Sequence, residues 1–240
     1  YAESAGDRRL RAQLLTMWCG CTWGPTSVTE GMARCEEVLV RGAGSRELEA
    51  DVARTRATFE AMRGDFAKAR EQYSQGKAVI DELGRPVMSA FAVQEGWYIE
   101  MLARDFRRAE DLTRSEYDRL VEADSLALQG ITRDLLALSL CAQGRFEEAD
   151  VLVRETEREA SGVGYVVAEN VWRRVRARSF SARGDHREAV RLAREAEALF
   201  EGTDALIDHG ECLLDLAGVL RAAGDHHEAA EAARGALALY

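Results

Sequence analysis

Five hexapeptides recur along the chain: GDFAKA at 64, RDFRRA at 104, GRFEEA at 144, GDHREA at 184 and GDHHEA at 224. Their spacing is 40 residues each time, with no slippage. One more step back reaches GPTSVT at 24, a degenerate first copy, so that six units of 40 account for all 240 residues. A strict period of this length leaves few folds open. Each repeat is one supersecondary unit that cannot bury its apolar face alone, and neighbours must stack to share a core.

The positions of the hexapeptide have separate physical roles. The glycine (Gly64, Gly144, Gly184, Gly224) suits the left-handed residue that ends a helix. The following Asp (Asp65, Asp185, Asp225) suits the N-cap of the next one, and Asp185 with Glu188, like Asp225 with Glu228, has the spacing of a capping box. Phe66, Phe106 and Phe146 open the second helix, and His186 and His226 hold that position later. The closing alanine (Ala69, Ala109, Ala149, Ala189, Ala229) never varies, and a small residue there lets two antiparallel helices approach closely.

Helical periodicity agrees. Ala189, Leu192, Ala193, Ala196, Leu199 and Phe200 follow the i, i+3, i+4, i+7 pattern, with Arg191, Arg194 and Glu195 on the other side. Leu213, Leu214, Leu216, Ala217 and Leu220 give the preceding helix its packing surface. Glycine-bearing breaks at 42–44, 84, 162–164 and 202 separate the units, and the only two prolines, Pro25 and Pro86, sit at such punctuation. Each unit therefore reads as two helices of roughly 15–18 residues joined by a tight turn. The expected units are about 1–40, 41–84, 85–124, 125–164, 165–204 and 205–240, a single domain of about 12 helices.

Composition narrows the function classes. The chain is 47% hydrophobic and 31% charged, which suits a core-forming protein. A formal charge of −10 argues against direct nucleic-acid binding or an anionic membrane surface as the partner. No apolar run reaches the length of a membrane span, and the N-terminus YAESAGDRRL, without an initiator Met or an apolar stretch, reads as the cut edge of a longer chain. Five scattered cysteines (Cys19, Cys21, Cys35, Cys141, Cys212) fit reduced, buried thiols and a cytoplasmic setting.

A small residue in the first helix followed by Gly-Asp-aromatic-x-x-Ala resembles the tetratricopeptide repeat, here lengthened from its usual 34 residues. Ala57, Ala137, Ala177 and Ala217 match the small position, Trp97 replaces it in the third unit, and Arg104 replaces that unit's glycine. The resemblance implies an all-α fold, a tetratricopeptide-like α-solenoid with a right-handed superhelix. The stretches GPTSVTEGMARCEEVL (24–39), VWRRVRARSFSARGD (171–185) and ECLLDLAGVLRAAGDHHEAAEAARGALALY (211–240) are also similar to the C-terminal repeat region of bacterial multidomain adenylate/guanylate cyclase–ATPase signalling proteins, and to arrays in maltose-activator-like transcription regulators.

Several motifs invite chemistry and fail to assemble it. His227 and Glu228 begin the H-E-x-x-H zinc signature, but its last position is Glu231. Cys19 and Cys21 are i, i+2 and point to different sides of a helix. RGAGSRE (41–47) lacks the Gly-Lys-Ser/Thr ending of a phosphate loop and no strand precedes it. No catalytic residue, metal ligand or cofactor is therefore expected.

One stretch stands out: VWRRVRARSF places Arg173, Arg174, Arg176 and Arg178 in one helix of an acidic chain, with Arg174 and Arg178 sharing a face at i, i+4. The family's groove-lining positions, counted back from the turn glycine, put Arg174 and Arg178 on the inner, concave surface. The same correspondence puts Trp18, Arg54, Gln94, Tyr98, Met101 and Asp134 there. Arginine and aromatic side chains on a concave surface suit peptide recognition. The leading expectation is a regulatory interaction module that binds a peptide, a partner protein or other domains of its own parent chain, either as a monomer or as a homodimer. The alternatives are a small-molecule sensor of an ATPase-type regulator, which needs a sizeable groove pocket, and an enzyme, which needs a convergent nucleophile or metal.

Overall fold

The computed structural model describes Leu14 and residues 26–42, 44–84, 86–160 and 166–239. Eleven helices and no strand occur among the described residues: α1 (Val28–Arg41), α2 (Arg46–Met62), α3 (Phe66–Glu82), α4 (Pro86–Leu102), α5 (Phe106–Glu122), α6 (Leu126–Ala142), α7 (Phe146–Ala160), α8 (Val166–Ala182), α9 (His186–Ala198), α10 (Leu206–Ala223) and α11 (His226–Leu239). The chain forms two compact units, Tyr1–Leu112 and Thr113–Tyr240, with the boundary inside α5.

The turns form as their residues dictate. Gly64, Gly144, Gly184 and Gly224 adopt φ between +76° and +90°. In each of these turns the following amide reaches back five residues, as from Asp65 to Glu60 and from Asp225 to Leu220, both at 3.0 Å. Arg104 takes the same left-handed conformation at φ 58°, and so does Asp124 at φ 51°, where no glycine marks the break. Asp65, Asp185 and Asp225 cap the next helix by accepting from the amide three residues on, at 3.2, 3.4 and 3.2 Å. The reciprocal half of the box is diverted in α9, where Glu188 binds Arg191 instead.

In the first unit α2 and α3 form a hairpin, α1 packs on α2, and α4 lies against both α2 and α3. Cys35, Val38, Leu48, Val52 and Phe59 make one core cluster, and Ala57, Ala61, Ala69 and Ile99 make a second. In the second unit the hairpins α6–α7, α8–α9 and α10–α11 follow one another, with α8 on α6 and α7, and α10 on α8 and α9. The core shared by the last two hairpins includes Ala177, Ala189, Leu192, Leu216, Val219, Leu220 and Ala232. Each fully buried Leu or Val there stabilises the fold by about 1.5–3 kcal/mol. The invariant alanines are buried in all five hairpins.

Candidate functional site

The first helix of each hairpin carries the polar residues that sequence reasoning singled out. In the second unit Arg174 and Arg178, one turn apart on α8, converge on Asp215 of α10. Arg174 Nε donates to Asp215 Oδ2 at 2.6 Å, and Arg178 Nε donates to Oδ1 at 2.9 Å, with a second bond from its Nη2. Arg174 Nη2 also donates to Glu211 at 3.1 Å. Arg174 and Asp215 are both buried. Burial works to push the Asp215 carboxyl up, but Arg174 and Arg178 outweigh it and hold the carboxyl below its ordinary range. Burial likewise opposes the charge on Arg174, and Asp215 overcomes that too.

The remaining arginines of this helix are also engaged. Arg173 lies 4.2 Å over the Trp172 ring and binds Glu169, while Arg176 donates to Glu157 at 2.7 Å. The basic stretch is thus an internal ion-pair network as well as a surface, with Arg178 left half-buried.

The first unit repeats the device. Arg54 of α2 binds Asp51 one turn away and Glu95 of α4. Both inter-hairpin pairs, Arg54–Glu95 and Arg174–Asp215, join residues 41 apart. The difference between them lies in the charge balance. Two carboxylates share one guanidinium at Arg54, so Arg54 keeps its charge firmly while each acid receives only part of the stabilisation. Burial therefore wins at Glu95, helped by Asp51, and lifts it to about 7 although Arg54 opposes.

Between these pairs Gln94 and Asp134 occupy the arginine position, with Leu135 and Val175 in the acid position. Asp134 is buried and accepts from Thr156 Oγ1 at 2.6 Å, while Arg133 Nε donates to that hydroxyl at 3.2 Å. Arg133 also pairs with Glu155 at 3.0 Å and with Glu159. Burial lifts Asp134 to about 7 against the Thr156 bond and the Arg133 charge. Tyr98 is buried, Gln94 and Met101 are half-buried, and Trp18 lies outside the described residues. Sequence reasoning brought forward the arginines but missed Asp51, Glu95 and Asp215. The signal that finds Glu95 and Asp215 is the 41-residue offset to an acid in the next repeat, whereas Asp51 stands three residues before Arg54 on the same helix.

The other candidates resolve into structural roles. His227 is exposed, with Nδ1 3.8 Å from Glu231, and His209 Nε2 lies 2.7 Å from Glu197. Cys35, Cys141 and Cys212 are buried thiols, none in a disulfide. Burial pushes Cys141 up to about 12 and Cys212 up to about 11, far from the range of a reactive thiolate. Cys19 and Cys21 lie outside the described residues. Among the described residues no three His, Cys, Asp or Glu side chains gather to hold a metal ion, and no helix is long and apolar enough to cross a membrane. An open cleft of about 770 Å3 runs along α9 past His186, Arg187, Val190, Arg191 and Arg194, where Arg191 binds Glu188 and Glu195, and Arg194 binds Glu228.

This geometry has clear counterparts among solved structures. NprR in complex with its cognate peptide NprX matches with a TM-score of 0.67 at 12% identity, covering 97% of this chain and 67% of that one. BtubC (BKLC) from P. vanneervenii matches at 0.56 and 16% identity over 88% and 87% of the two chains. The nearly identical TPR-like repeats of a putative kinesin light chain from P. anserina match at 0.52 and 16% identity, over 82% and 96%. The fold is a tetratricopeptide-type helical repeat array. No family model and no curated protein matches the sequence. The likeness therefore lies in the fold: all-α hairpins packed in sequence order.

Proposed function

We propose that this chain is a non-catalytic interaction module that binds a peptide or a partner domain on the faces of its first-of-hairpin helices, α6 and α8 in the second unit and, separately, α4 in the first. The observation that carries this reading is the match, over 97% of the chain, to NprR, a protein solved in complex with its cognate peptide. The contact residues we assign are those that keep surface on these faces: Gln94, Met101 and Arg178, with Tyr98, Asp134, Arg54 and Arg174 as the buried support behind them. Arg178 is the anchor for a carboxylate of the ligand, because a guanidinium with its fork partly open binds carboxylates bidentately.

The finer setting also belongs to this proposal. The similarity of 24–39, 171–185 and 211–240 to repeat regions of bacterial cyclase–ATPase proteins supports a place in a larger cytoplasmic signalling chain, whose own domains are then candidate partners. Selection of peptides from a random display library against the whole chain, followed by calorimetric titration, tests the binding reading. Selected peptides should carry Asp, Glu or a free C-terminus, and Arg178→Lys or Met101→Glu should weaken them roughly tenfold or more. Selected peptides that bind both variants with unchanged affinity would place the site elsewhere, and a library yielding no binder would remove the reading.

A further inference from the structure

Glu95 and Asp215 hold the same position in their repeats, 120 residues apart, but in different company. Asp215 is answered by two guanidiniums, Arg174 and Arg178, one turn apart on α8. The positions 120 residues before those arginines are Arg54 and Thr58 on α2. Arg54 binds Glu95 as Arg174 binds Asp215. Thr58 does not follow Arg178. It is a buried, uncharged hydroxyl that donates at 2.7 Å to the Thr55 carbonyl of its own helix. Among the described residues Glu95 makes no second ion pair. It therefore has one guanidinium where Asp215 has two, and it shares that one with Asp51.

That shortfall can be met from outside. The Glu95 side chain keeps 19% of its surface, against 5% for Asp215, and Arg54 bonds only to its Oε2. One turn earlier on the same face of α4 stands Phe91, with 43% of its surface exposed. The residues at its position in α6 and α8, Ile131 and Val171, are half-buried and buried. An open ring beside a carboxylate short of counter-charge suits a cation. The carboxylate attracts the charge, the ring face adds its own attraction, and the apolar stem of a lysine or arginine can lie along the ring.

We propose that Glu95 and Phe91 form a site on α4 that receives a lysine or arginine side chain of a bound peptide. The ligand's cation takes the part at Glu95 that Arg178 takes at Asp215. This inference rests on the reading of α4 as a peptide-binding face and adds the charge its ligand carries there. Gln94, half-buried between the two residues in sequence, has both a donor and an acceptor to offer the peptide backbone. The site complements the carboxylate anchor assigned to Arg178. The two belong to different units, and each is tested by its own substitutions.

The probes are peptides selected from a random display library on the whole chain, measured by calorimetric titration. Selected peptides should include members with Lys or Arg at a fixed position. Replacing that lysine by norleucine, or that arginine by citrulline, should weaken binding to the parent chain roughly tenfold. Against Glu95→Gln the same replacement should cost about twofold or less, because the lost energy belongs to the pair. Glutamine keeps an acceptor for Arg54, so Tm should stay unchanged or rise, which separates lost binding from lost fold. Phe91→Leu, at an exposed position, should weaken the basic peptide roughly two- to fivefold and leave its uncharged version unaltered. Binders that all lack a basic residue, or a basic residue that contributes equally to parent and Glu95→Gln chains, would overturn this site and leave the interaction module standing. A library without any binder removes the module, and the site with it. Should Glu95→Gln not fold, Phe91→Leu decides by the same comparison of charged and uncharged peptides.

Discussion

Asp215 of α10 accepts hydrogen bonds from both Arg174 and Arg178 of α8, so one buried carboxylate ties two consecutive hairpins together. Removing it takes the shared acceptor from the buried Arg174 and the half-buried Arg178, leaving Arg174 only its bond to Glu211. Asp215→Ala is expected to destabilise the chain by about 3–5 kcal/mol in urea unfolding. Adding Arg174→Met to that variant should recover part of the loss, because an apolar side chain of similar length needs no counter-charge. A change below about 1 kcal/mol would mean the pair is hydrated in solution.

Asp134 gives the opposite sign. Its folded pKa of about 7 lies above the unfolded value of about 3.9, so the folded state holds the proton more tightly between those limits. Its contribution is greatest below the unfolded pKa, and stability falls as pH rises from about 4 to about 7. Asp134→Asn keeps an acceptor for Thr156 and removes the charge. It should stabilise the chain at pH 8 by up to ~4 kcal/mol, with the gain shrinking as the pH falls through 5. Denaturant titrations at the two pH values measure this directly.

Arg104 stands where the other turns have glycine, at φ 58°. A side chain in that conformation costs about 1–2 kcal/mol, offset in part by the extra freedom glycine brings to the unfolded chain. Arg104→Gly should therefore stabilise the chain by about 0.5–1 kcal/mol, even though it removes a guanidinium 5.9 Å from the Phe106 ring. Thermal unfolding of the two proteins decides it.

Gly76 of α3 packs tightly against α2. A Cβ there would lie 2.6 Å from the Ala50 carbonyl oxygen and 2.7 Å from Arg54 Cγ. Gly76→Ala is expected to cost about 1–3 kcal/mol by forcing the helices apart, despite alanine's better helix propensity. The displaced guanidinium should also loosen the Asp51–Arg54–Glu95 cluster, seen as faster amide exchange in α4.

The hairpin plan was legible because it rests on local chemistry. Turn glycines, capping aspartates and packing alanines each act within a few residues, and their 40-residue recurrence made the pattern visible. The break expected at 124–125 came from the period alone, because its left-handed residue, Asp124, is not glycine. The fate of the arginines was less legible for a different reason. Arg174 and Arg178 read as a surface offering charge to a ligand, yet whether a guanidinium is spent internally depends on an acid in the next repeat. Asp215 and Glu95 look like ordinary surface carboxylates until the helices are side by side.

The 41-residue offset also bears on how such a chain can change length. Adding or deleting one whole hairpin keeps every turn in phase, so the backbone accepts it. The side chains do not accept it equally, because an arginine at this position must find its acid one hairpin further on. Splicing between α8 and α10 would orphan Arg174, whereas a junction after Asp134, whose 41-residue partner position holds Val175, breaks no charge pair of this kind. The pattern of paired and unpaired positions therefore acts as a set of permissive and forbidden seams, and recombined arrays should tolerate junctions at the second kind of site far better than at the first.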